Sequence, residues 1–529
     1  MKKTDIKLIA VLLFGIVSVI SAQKAPNILY IMSDDHASAT IGAYNSHLKD
    51  VVETPNIDRL AEEGALLENC FCTNALCAPS RATILTGQYS HKSGVYTLRE
   101  HLNTKNKPSV AKSLNSAGYQ TAAIGKWHVH GDNLNGFDFY AITLSQGAYH
   151  NPSFSTKEGK IRREGYSSDI ITDVSLEWLE KRDKERPFYL MTHFKAAHGP
   201  WQPAERHENL YNDITIPEPE TLFDDYSKQN PMGVGGTQAR IHEPGSNHSL
   251  SLWFQKGKKG KGGWPTGEIT FEEGLSDKEI KKQTYQKYAK DYLRCVKGID
   301  ENVGRLLAYL EEEGELDNTI IVYTSDQGMY VGEHGLFDKR LGFEEALRMP
   351  FVIRYPKEIK AGQRIDNIVN NVDFAETFLD YANTDIPEKM QGYSFRPILK
   401  GKKPLYDRKC SFYGFYSSGC SDHYGIRTKN YKLLKYIGKD KKVGYDLFDL
   451  KNDPYETVNL ADNETHKATF DKLNALLVEE MKNIDISEEY LPGTEDWKLF
   501  VDYGDNLQGK KHNKANPKKK NKNKKQKNK

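Results

Sequence analysis

The sequence predicts an α/β fold: a large, mainly parallel sheet sandwiched by helices, with a smaller C-terminal α+β domain. Short apolar runs that lack polar alternation indicate buried strands. In chain order, these runs lie at 28–32, 65–67, 121–124, 188–192, 319–324 and 351–353. Helical segments separate several of the runs, and helices that alternate with buried strands are typical of a parallel sheet covered on both faces.

The helical segments are indicated by their first residues and by their periodicity. Thr-Pro-Asn at 54–56 is a typical helix start and precedes an amphipathic segment at 57–61. Residues 285–313 carry a stripe of apolar side chains at helical spacing. After residue 397 the chain changes to short strands joined by turns, closed by a helix over 466–483. Those strands are predicted at 424–428, 431–436 and 445–449.

Both ends of the chain have compositions that do not suit a folded domain. Residues 1–22 combine three lysines with an apolar run at 8–20 and small residues at the end, which is typical of a cleaved signal peptide. The run is too short for a stable membrane span. We therefore expect cleavage near Ala22, no membrane span, and an exported protein that is periplasmic or secreted. Residues 508–529 are rich in Lys and Asn and are expected to be disordered.

Charge is distributed unevenly along the chain. The 529 residues carry a net charge of +2, to which residues 1–22 contribute +2 and the lysines of 510–529 contribute +11, so the body over 23–509 carries −11. An acidic body argues against nucleic acid as the main partner. The basic tail could bind a polyanion or a cell surface, or it could be a solvated segment without a partner.

The length between the two ends suits a large α/β domain at 23–400 and a smaller domain at 401–507. Glycine- and lysine-rich stretches between about 230 and 276 predict a loop insertion, which we expect near the entrance of the site, where it could contact substrate. The chain has six cysteines, too few for a disulfide framework. One local disulfide between Cys410 and Cys420 is a further expectation.

Polar residues follow several of the predicted strands at the point where each strand ends. They are Asp34 and Asp35, Lys126 and His128, His198, and Asp326 and Gln327. Because open α/β sheets form their sites at the carboxyl ends of the strands, we expect these residues to share one site. Adjacent carboxylates repel unless a cation neutralises them, so Asp34 and Asp35 favour a hard divalent ion. A capping or solvated turn is the alternative.

The segment CAPSRATILTG at 77–87 predicts a short helix with a thiol at its amino-terminal end. Pro79 suits the first turn, and Gly87 suits the left-handed residue just past the end. Cys77 would lie where free N–H groups and the helix dipole favour an anion, with Arg81 on the same face. This combination favours a nucleophile that handles an oxyanion, and the alternative is an ordinary small buried cysteine.

Taken together, these motifs resemble those of type I sulfatases, a family of the alkaline-phosphatase-like superfamily. The resemblance rests first on Cys-Ala-Pro-Ser-Arg at 77–81 followed by Leu-Thr-Gly at 85–87. Further motifs follow in the family's order: Asp34-Asp35, Gly-Lys-Trp-His at 125–128, His198, Ser-Asp-Gln-Gly at 325–328, Gly-Glu-His-Gly at 332–335 and Lys339. The resemblance covers roughly residues 26–483 and implies the alkaline-phosphatase-like fold.

The resemblance implies that a maturation enzyme, the formylglycine-generating enzyme, oxidises Cys77 to formylglycine. The hydrated aldehyde would attack sulfur, displace the alcohol and then expel sulfate. One calcium ion would be held by Asp34, Asp35, Asp326, Gln327 and residue 77. Many relatives carry Asn or His at the position of Gln327, but the longer amide still offers an oxygen.

The resemblance also implies roles for the basic residues. Arg81 would support the nucleophile, and Lys126 and Lys339 would neutralise the sulfate oxygens. His128 would be the base that breaks down the sulfated intermediate, and His198, with Lys339, would be the acid that protonates the leaving alcohol.

The sequence therefore predicts an exported sulfatase that hydrolyses sulfate esters of a carbohydrate. The expected substrate is a sulfated algal polysaccharide or its oligosaccharides, with ulvan ahead of carrageenan, fucoidan and host glycosaminoglycans. His334 would bind substrate on the leaving-group side or be structural. The alternatives are a phosphonate or phosphate monoesterase of the same superfamily and a non-catalytic secreted polysaccharide-binding protein.

Overall fold

A computed structural model describes residues 25–498, except 238, 257–263, 417–419, 439, 495 and 497. The predicted signal peptide at 1–22 and the basic tail at 508–529 lie outside these described residues. Among the helices that are described, none combines the length and the apolar character needed to cross a membrane.

The described part of the chain contains eighteen strands. They are β1 Asn27–Ser33, β2 Ala65–Leu67, β3 Cys70–Phe71, β4 Gln120–Lys126, β5 Phe139–Thr143, β6 Ser153–Thr156, β7 Gly159–Arg162, β8 Phe188–His193, β9 Thr319–Ser325, β10 Tyr330–Val331, β11 Phe337–Asp338, β12 Phe351–Arg354, β13 Gln363–Ile365, β14 Val369–Asn370, β15 Cys410–Phe415, β16 Asp422–Thr428, β17 Tyr431–Ile437 and β18 Val443–Asp449.

Within the same described part of the chain, eleven α-helices connect or cover these strands. They are α1 Pro55–Glu62, α2 Cys77–Thr86, α3 Ser90–Ser93, α4 Val110–Ser116, α5 Ser167–Lys181, α6 Leu250–Lys256, α7 Asp277–Glu312, α8 Glu344–Leu347, α9 Phe374–Tyr381, α10 Arg396–Leu399 and α11 Lys467–Asn483. Helix α6 lies inside the segment predicted as a loop insertion, so that segment is partly helical.

The main sheet has ten described strands in the order β13-β2-β12-β9-β1-β8-β4-β5-β6-β7. Its centre is parallel: Leu29 of β1 pairs with Ile321 of β9 on one side and with Leu190 of β8 on the other. Antiparallel pairs occur toward the margins, between β12 and β9 and between β5 and β6. The predicted mainly parallel sheet is confirmed, and the carboxyl ends of β9, β1, β8 and β4 therefore lie along one edge.

Helices cover both faces of this sheet, because alternate residues of the central strands enter different cores. Ile28 and Tyr30 of β1 pack into a core that includes residues of α2, α4 and α9. Leu29 and Ile31 pack into a second core with residues of α1, α5 and α7. This arrangement confirms the predicted helix–sheet–helix sandwich.

The C-terminal part forms an antiparallel sheet in the order β15-β16-β17-β18. Helix α11 packs Leu473 and Leu477 into a core with Ile426 and Leu433 of the sheet, which confirms the smaller α+β domain. The predicted disulfide is wrong: Cys410 and Cys420 are both free and buried.

Candidate active site

The acidic residues lie where the predicted sheet edge places them. Asp34 and Asp35 follow β1 directly, and Asp326 follows the neighbouring strand β9. All three side chains are buried. One carboxylate oxygen from each lies within 4.8 Å of the others. The backbone N–H of Asp35 also donates to Asp326 Oδ1 at 3.1 Å, which links the two strand ends directly.

Cys77 is the first residue of α2 and points into this acidic cluster. Its Sγ lies 3.9 Å from Asp35 Oδ1 and 4.0 Å from Gln327 Nε2. Leu76 before it is extended, and Gly87 after the helix is left-handed with φ of 61°. The helix predicted for 77–86 and its glycine end are therefore confirmed.

The environment of Cys77 does not activate a thiol. Burial raises the pKa of Cys77 well above its usual range, and the neighbouring Asp34 acts in the same direction. A cysteine nucleophile needs the thiolate, which such surroundings disfavour.

Three buried cations alternate with the three carboxylates. Lys126 Nζ contacts Asp34, and Lys339 Nζ contacts Asp35. Arg81 Nε lies 2.9 Å from Asp326 Oδ2, and its Nη2 lies 3.5 Å from Asp34 Oδ1. Each carboxylate thus has a basic neighbour, which reduces the cost of placing the charges away from water.

Gly125 allows β4 to pack closely against β8, which places Lys126 at the end of β4 beside Asp34. The φ of Gly125 is 101°, and a Cβ at this residue would lie 2.0 Å from the carbonyl oxygen of His193. Any side chain at residue 125 would push β4 away from β8. The first position of the motif at 125–128 therefore requires glycine. The Lys126 carbonyl oxygen then accepts a hydrogen bond from Arg81 Nη1 at 2.6 Å.

The arrangement of charges sets the protonation of the acids. Burial opposes ionisation of Asp34, but nearby basic groups, led by Lys126, hold its pKa well below the usual range. Burial raises the pKa of Asp326 to about 7, although Arg81 acts in the opposite direction. Burial would lower the pKa of Lys339, but Asp35 outweighs it and raises that pKa, which keeps the ammonium group charged.

The carboxylates and the amide of Gln327 offer the oxygen ligands that a hard divalent cation prefers. Gln327 follows Asp326, and its Nε2 donates to Asp35 Oδ1. Its Oε1 is buried and has no hydrogen-bond partner within the described part of the chain. A buried oxygen without a donor beside three carboxylates fits a cation, so the residues present suit a metal ion.

Two histidines lie at the same edge, and both are held in the neutral form. His128 follows β4, and burial, followed by Lys126, lowers its pKa to about 2. His198 follows β8; its Nδ1 lies 2.7 Å from the Gly199 carbonyl oxygen, and its Nε2 lies 3.6 Å from Asp35 Oδ2. Burial, followed by Lys339, lowers the pKa of His198 well below its usual range. A neutral imidazole can accept a proton, as a base must.

His334 does not join the cluster. Its ring is buried and stacks on Phe343, with centroids 4.3 Å apart, and its Nδ1 lies 3.0 Å from Asp224 Oδ2. These contacts correspond to the structural alternative considered for His334. They do not place the ring among the residues that line the cavity beside Cys77.

A cavity of about 220 Å³ opens beside Cys77. Asp35, Cys77, His198 and Lys339 contribute to its lining. Sequence reasoning did not identify the other side chains that line it, which include Gln146, Trp201, Trp253, Trp264, Phe337 and Arg340. Two of them, Trp253 and Trp264, belong to the predicted insertion, so their position agrees with the expectation that this segment lies near the entrance.

Residues 26–384 match the family described as Sulfatase, and residues 332–483 match the C-terminal domain of N-sulphoglucosamine sulphohydrolase. The chain belongs to the sulfatase family. This sulfatase is therefore a sulfuric ester hydrolase, and its fold is the alkaline-phosphatase-like fold that the sequence predicted.

Individual relatives resemble this sulfatase over most of its length. It is 40% identical over 490 residues to N-acetylglucosamine-6-O-sulfatase from Bacteroides thetaiotaomicron, covering 87% of each chain. It is 26% identical over 477 residues to an ulvan-active sulfatase from Formosa agariphila, covering 85% of this chain and 80% of the relative. A solved structure described as a complex with its substrate D-glucosamine-2-N,6-O-disulfate superposes with a TM-score of 0.80 at 39% identity, covering 87% of this chain and 98% of the other.

Proposed function

We propose that this sulfatase removes the 6-O-sulfate group from a glucosamine-type sugar, using formylglycine made from Cys77. The observation that carries the proposal is the position of Cys77 at the start of α2, facing Asp35 and Gln327 beside a cavity lined by Lys339 and His198. The choice of sugar is supported by the Bacteroides relative, whose name states an N-acetylglucosamine 6-O-sulfatase.

This choice changes the order of the expected substrates. The sequence alone places ulvan first among them. The ulvan-active relative, however, is 26% identical to this chain, whereas the N-acetylglucosamine-6-O-sulfatase is 40% identical. We therefore place glucosamine 6-sulfate ahead of ulvan. The predicted signal peptide at 1–22 would bring the enzyme to the periplasm or outside the cell, where sulfated oligosaccharides are accessible.

In this proposal, Asp34, Asp35, Asp326 and Gln327 would hold one calcium ion together with residue 77. When bound, the ion would supply positive charge at the sulfate-binding end of the cavity. Arg81 orients two of these carboxylates, because its guanidinium reaches both Asp326 and Asp34.

The remaining residues would bind the sulfate group and move protons. Lys126 and Lys339 would attract the sulfate oxygens, since both ammonium groups are buried at the cluster. Neutral His128 would take the proton that must leave residue 77 when sulfate is expelled. Lys339, kept charged by Asp35, would supply the proton to the departing sugar hydroxyl. His198, the second acid that the resemblance implies, is neutral and would act as an acid only after taking up a proton. Formylglycine would supply an aldehyde hydrate as the nucleophile.

The test is sulfate release from defined sugars by the full chain, expressed together with a formylglycine-generating enzyme. We expect release from glucosamine 6-sulfate to exceed release from ulvan oligosaccharides, and Cys77→Ala to release none. Mass spectrometry of the peptide containing residue 77 should show formylglycine in the active preparation. Formylglycine without sulfate release from any sugar would contradict the proposal. Phosphate release exceeding sulfate release from matched aryl esters would select a phosphate monoesterase instead.

A further inference from the structure

The cavity beside Cys77 has two chemically different walls. One is polar and consists of the groups assigned above to the reaction. The other is aromatic, and the proposed reaction does not use it. The aromatic wall consists of Trp201, Trp253, Trp264 and Phe337.

Trp253 presents the most accessible surface of this wall. Trp201, Phe337 and Trp264 are 2%, 4% and 6% exposed. Trp253 is half-buried. The other three rings therefore serve mainly as packing, whereas Trp253 retains indole surface that a molecule in the cavity can cover.

The indole of Trp253 is held in a defined position. Its neighbours on α6, Leu250 and Phe254, are completely buried and anchor the helix. The Trp253 ring lies edge to face against Phe337, with centroids 5.2 Å apart. Trp264 Nε1 donates to the Trp253 carbonyl oxygen at 3.2 Å. A ligand that contacts Trp253 therefore does not have to order it first, which favours affinity.

The aromatic wall is joined to the polar wall through one short strand. Phe337, which packs against Trp253, lies in β11, two residues before Lys339. Lys339 and Trp253 line the same cavity, so a sulfate ester whose sulfate group is held by the polar wall has the indole within the space open to the rest of the ester. The faces of a pyranose ring carry C–H groups, whereas its edges carry hydroxyl groups, so a ring face is the part that can cover an indole.

We propose that Trp253 is a specificity-determining residue that binds the apolar face of the sugar ring carrying the sulfate. This inference rests on the proposed function, since it assumes that the ester is a sugar sulfate. In this proposal, helix α6 of the inserted segment recognises the sugar ring, and the polar wall recognises the sulfate group.

The test compares a ligand that has a sugar ring, glucosamine 6-sulfate, with one that has none, inorganic sulfate. Trp253→Ala should raise KM for glucosamine 6-sulfate about tenfold, with kcat changed less than twofold, and Trp253→Phe should retain most of the affinity. The inhibition constant of inorganic sulfate should stay the same in both variants, because sulfate contacts only the polar wall. Circular dichroism and thermal melting verify that the variants are folded.

A matched control is available in α5. Trp178 is also half-buried and also lies edge to face against a phenylalanine, Phe188, at 6.2 Å, but it does not line the cavity. Trp178→Ala should leave KM for the sugar unchanged. If KM is unchanged in Trp253→Ala, or if the inhibition constant of sulfate rises in parallel with KM, the role assigned to Trp253 is wrong, while the proposed function stands. Failure of the wild-type enzyme to hydrolyse any sugar sulfate would instead overturn the proposed function.

Discussion

At the scale of single residues, the side-chain amide of Gln327 gives the most direct evidence for a cation-binding site. Its Nε2 donates to Asp35, while its Oε1 is buried and has no partner among the described residues. An unsatisfied buried polar atom costs about 1–3 kcal/mol. A cation placed among Asp34, Asp35 and Asp326 would remove this cost and would also reduce the repulsion between the carboxylates.

We therefore predict that calcium stabilises the folded protein through Gln327. Calcium should raise Tm of the wild-type protein, because an ion that binds only the folded state adds to the free energy of unfolding. Gln327→Met removes the amide oxygen at similar size and should weaken calcium binding about tenfold, measured by thermal melting across a calcium titration.

Gln327→Glu is the matched control for this prediction, since it retains an oxygen at the same position and should retain calcium binding. Equal calcium dependence of Tm in the wild-type and Gln327→Met proteins would exclude Gln327 as a ligand. This result would leave the roles of the three aspartates open.

At the scale of secondary-structure elements, α1 is capped by a residue from a distant helix. Thr54 before α1 makes no side-chain capping hydrogen bond. Instead, Asp300 of α7 accepts hydrogen bonds from the backbone N–H groups of Asn56 and Ile57 at 3.0 and 2.9 Å. The sequence predicted the start of α1, but the capping group could not be predicted because it lies more than 200 residues away.

This cap predicts a specific pH dependence of stability. Burial raises the pKa of Asp300 to about 6, although the N–H groups of Ile57 and Asn56 act in the opposite direction. The folded state therefore holds the Asp300 proton more tightly than the unfolded state does. The stabilisation from this proton is complete below about pH 4 and is lost as the pH rises through about 6.

Asp300→Asn keeps an acceptor oxygen for the cap and removes the titration. Between pH 4 and 7 the wild-type protein should lose about 2–3 kcal/mol of unfolding free energy relative to Asp300→Asn, measured by urea unfolding. Parallel pH profiles for the two proteins would show that Asp300 does not titrate abnormally.

At the scale of the whole molecule, a buried ionic network joins the two domains. Glu344 of α8 lies 3.1 Å from Arg427 Nη2 of β16 and 2.9 Å from Lys432 Nζ of β17. Lys432 also contacts Glu456 at 2.6 Å, and its side chain is completely buried. Removing one member would leave a buried charge without its partner, which is strongly destabilising.

We predict that Lys432→Ala lowers the free energy of unfolding by about 3–5 kcal/mol, since it leaves Glu456 buried without its lysine. The matched control is Lys429→Ala, which removes an exposed lysine that pairs with Asp366 at 2.7 Å. That change should cost less than about 1 kcal/mol, because exposed ion pairs contribute little. Urea unfolding of both variants measures the difference, and equal effects would contradict an energetic role for the network.

The buried strands and the polar residues at their ends could be predicted from the sequence alone. All six predicted apolar runs lie within strands of the main sheet, because a strand buried on both faces requires a continuous apolar run. The marginal strands β6 and β7 were missed because they are short and their sequences lack such a run: β7 is exposed throughout, and β6 has a single buried residue. Two further strands of the main sheet, β5 and β13, and the buried strand β15 of the C-terminal sheet were missed too.

Local sequence also determined the helix at 77–86, because Pro79 suits the first turn of a helix and Gly87 suits the left-handed residue that ends it. Only the tertiary structure decided which groups meet: it placed Lys339 on Asp35, kept His334 away from the cavity, and left Cys410 and Cys420 unbridged. It also assembled the aromatic wall from three separate parts of the chain, which contain Trp201, Trp253 with Trp264, and Phe337. Such contacts depend on chain packing over long sequence distances, and no local pattern records them.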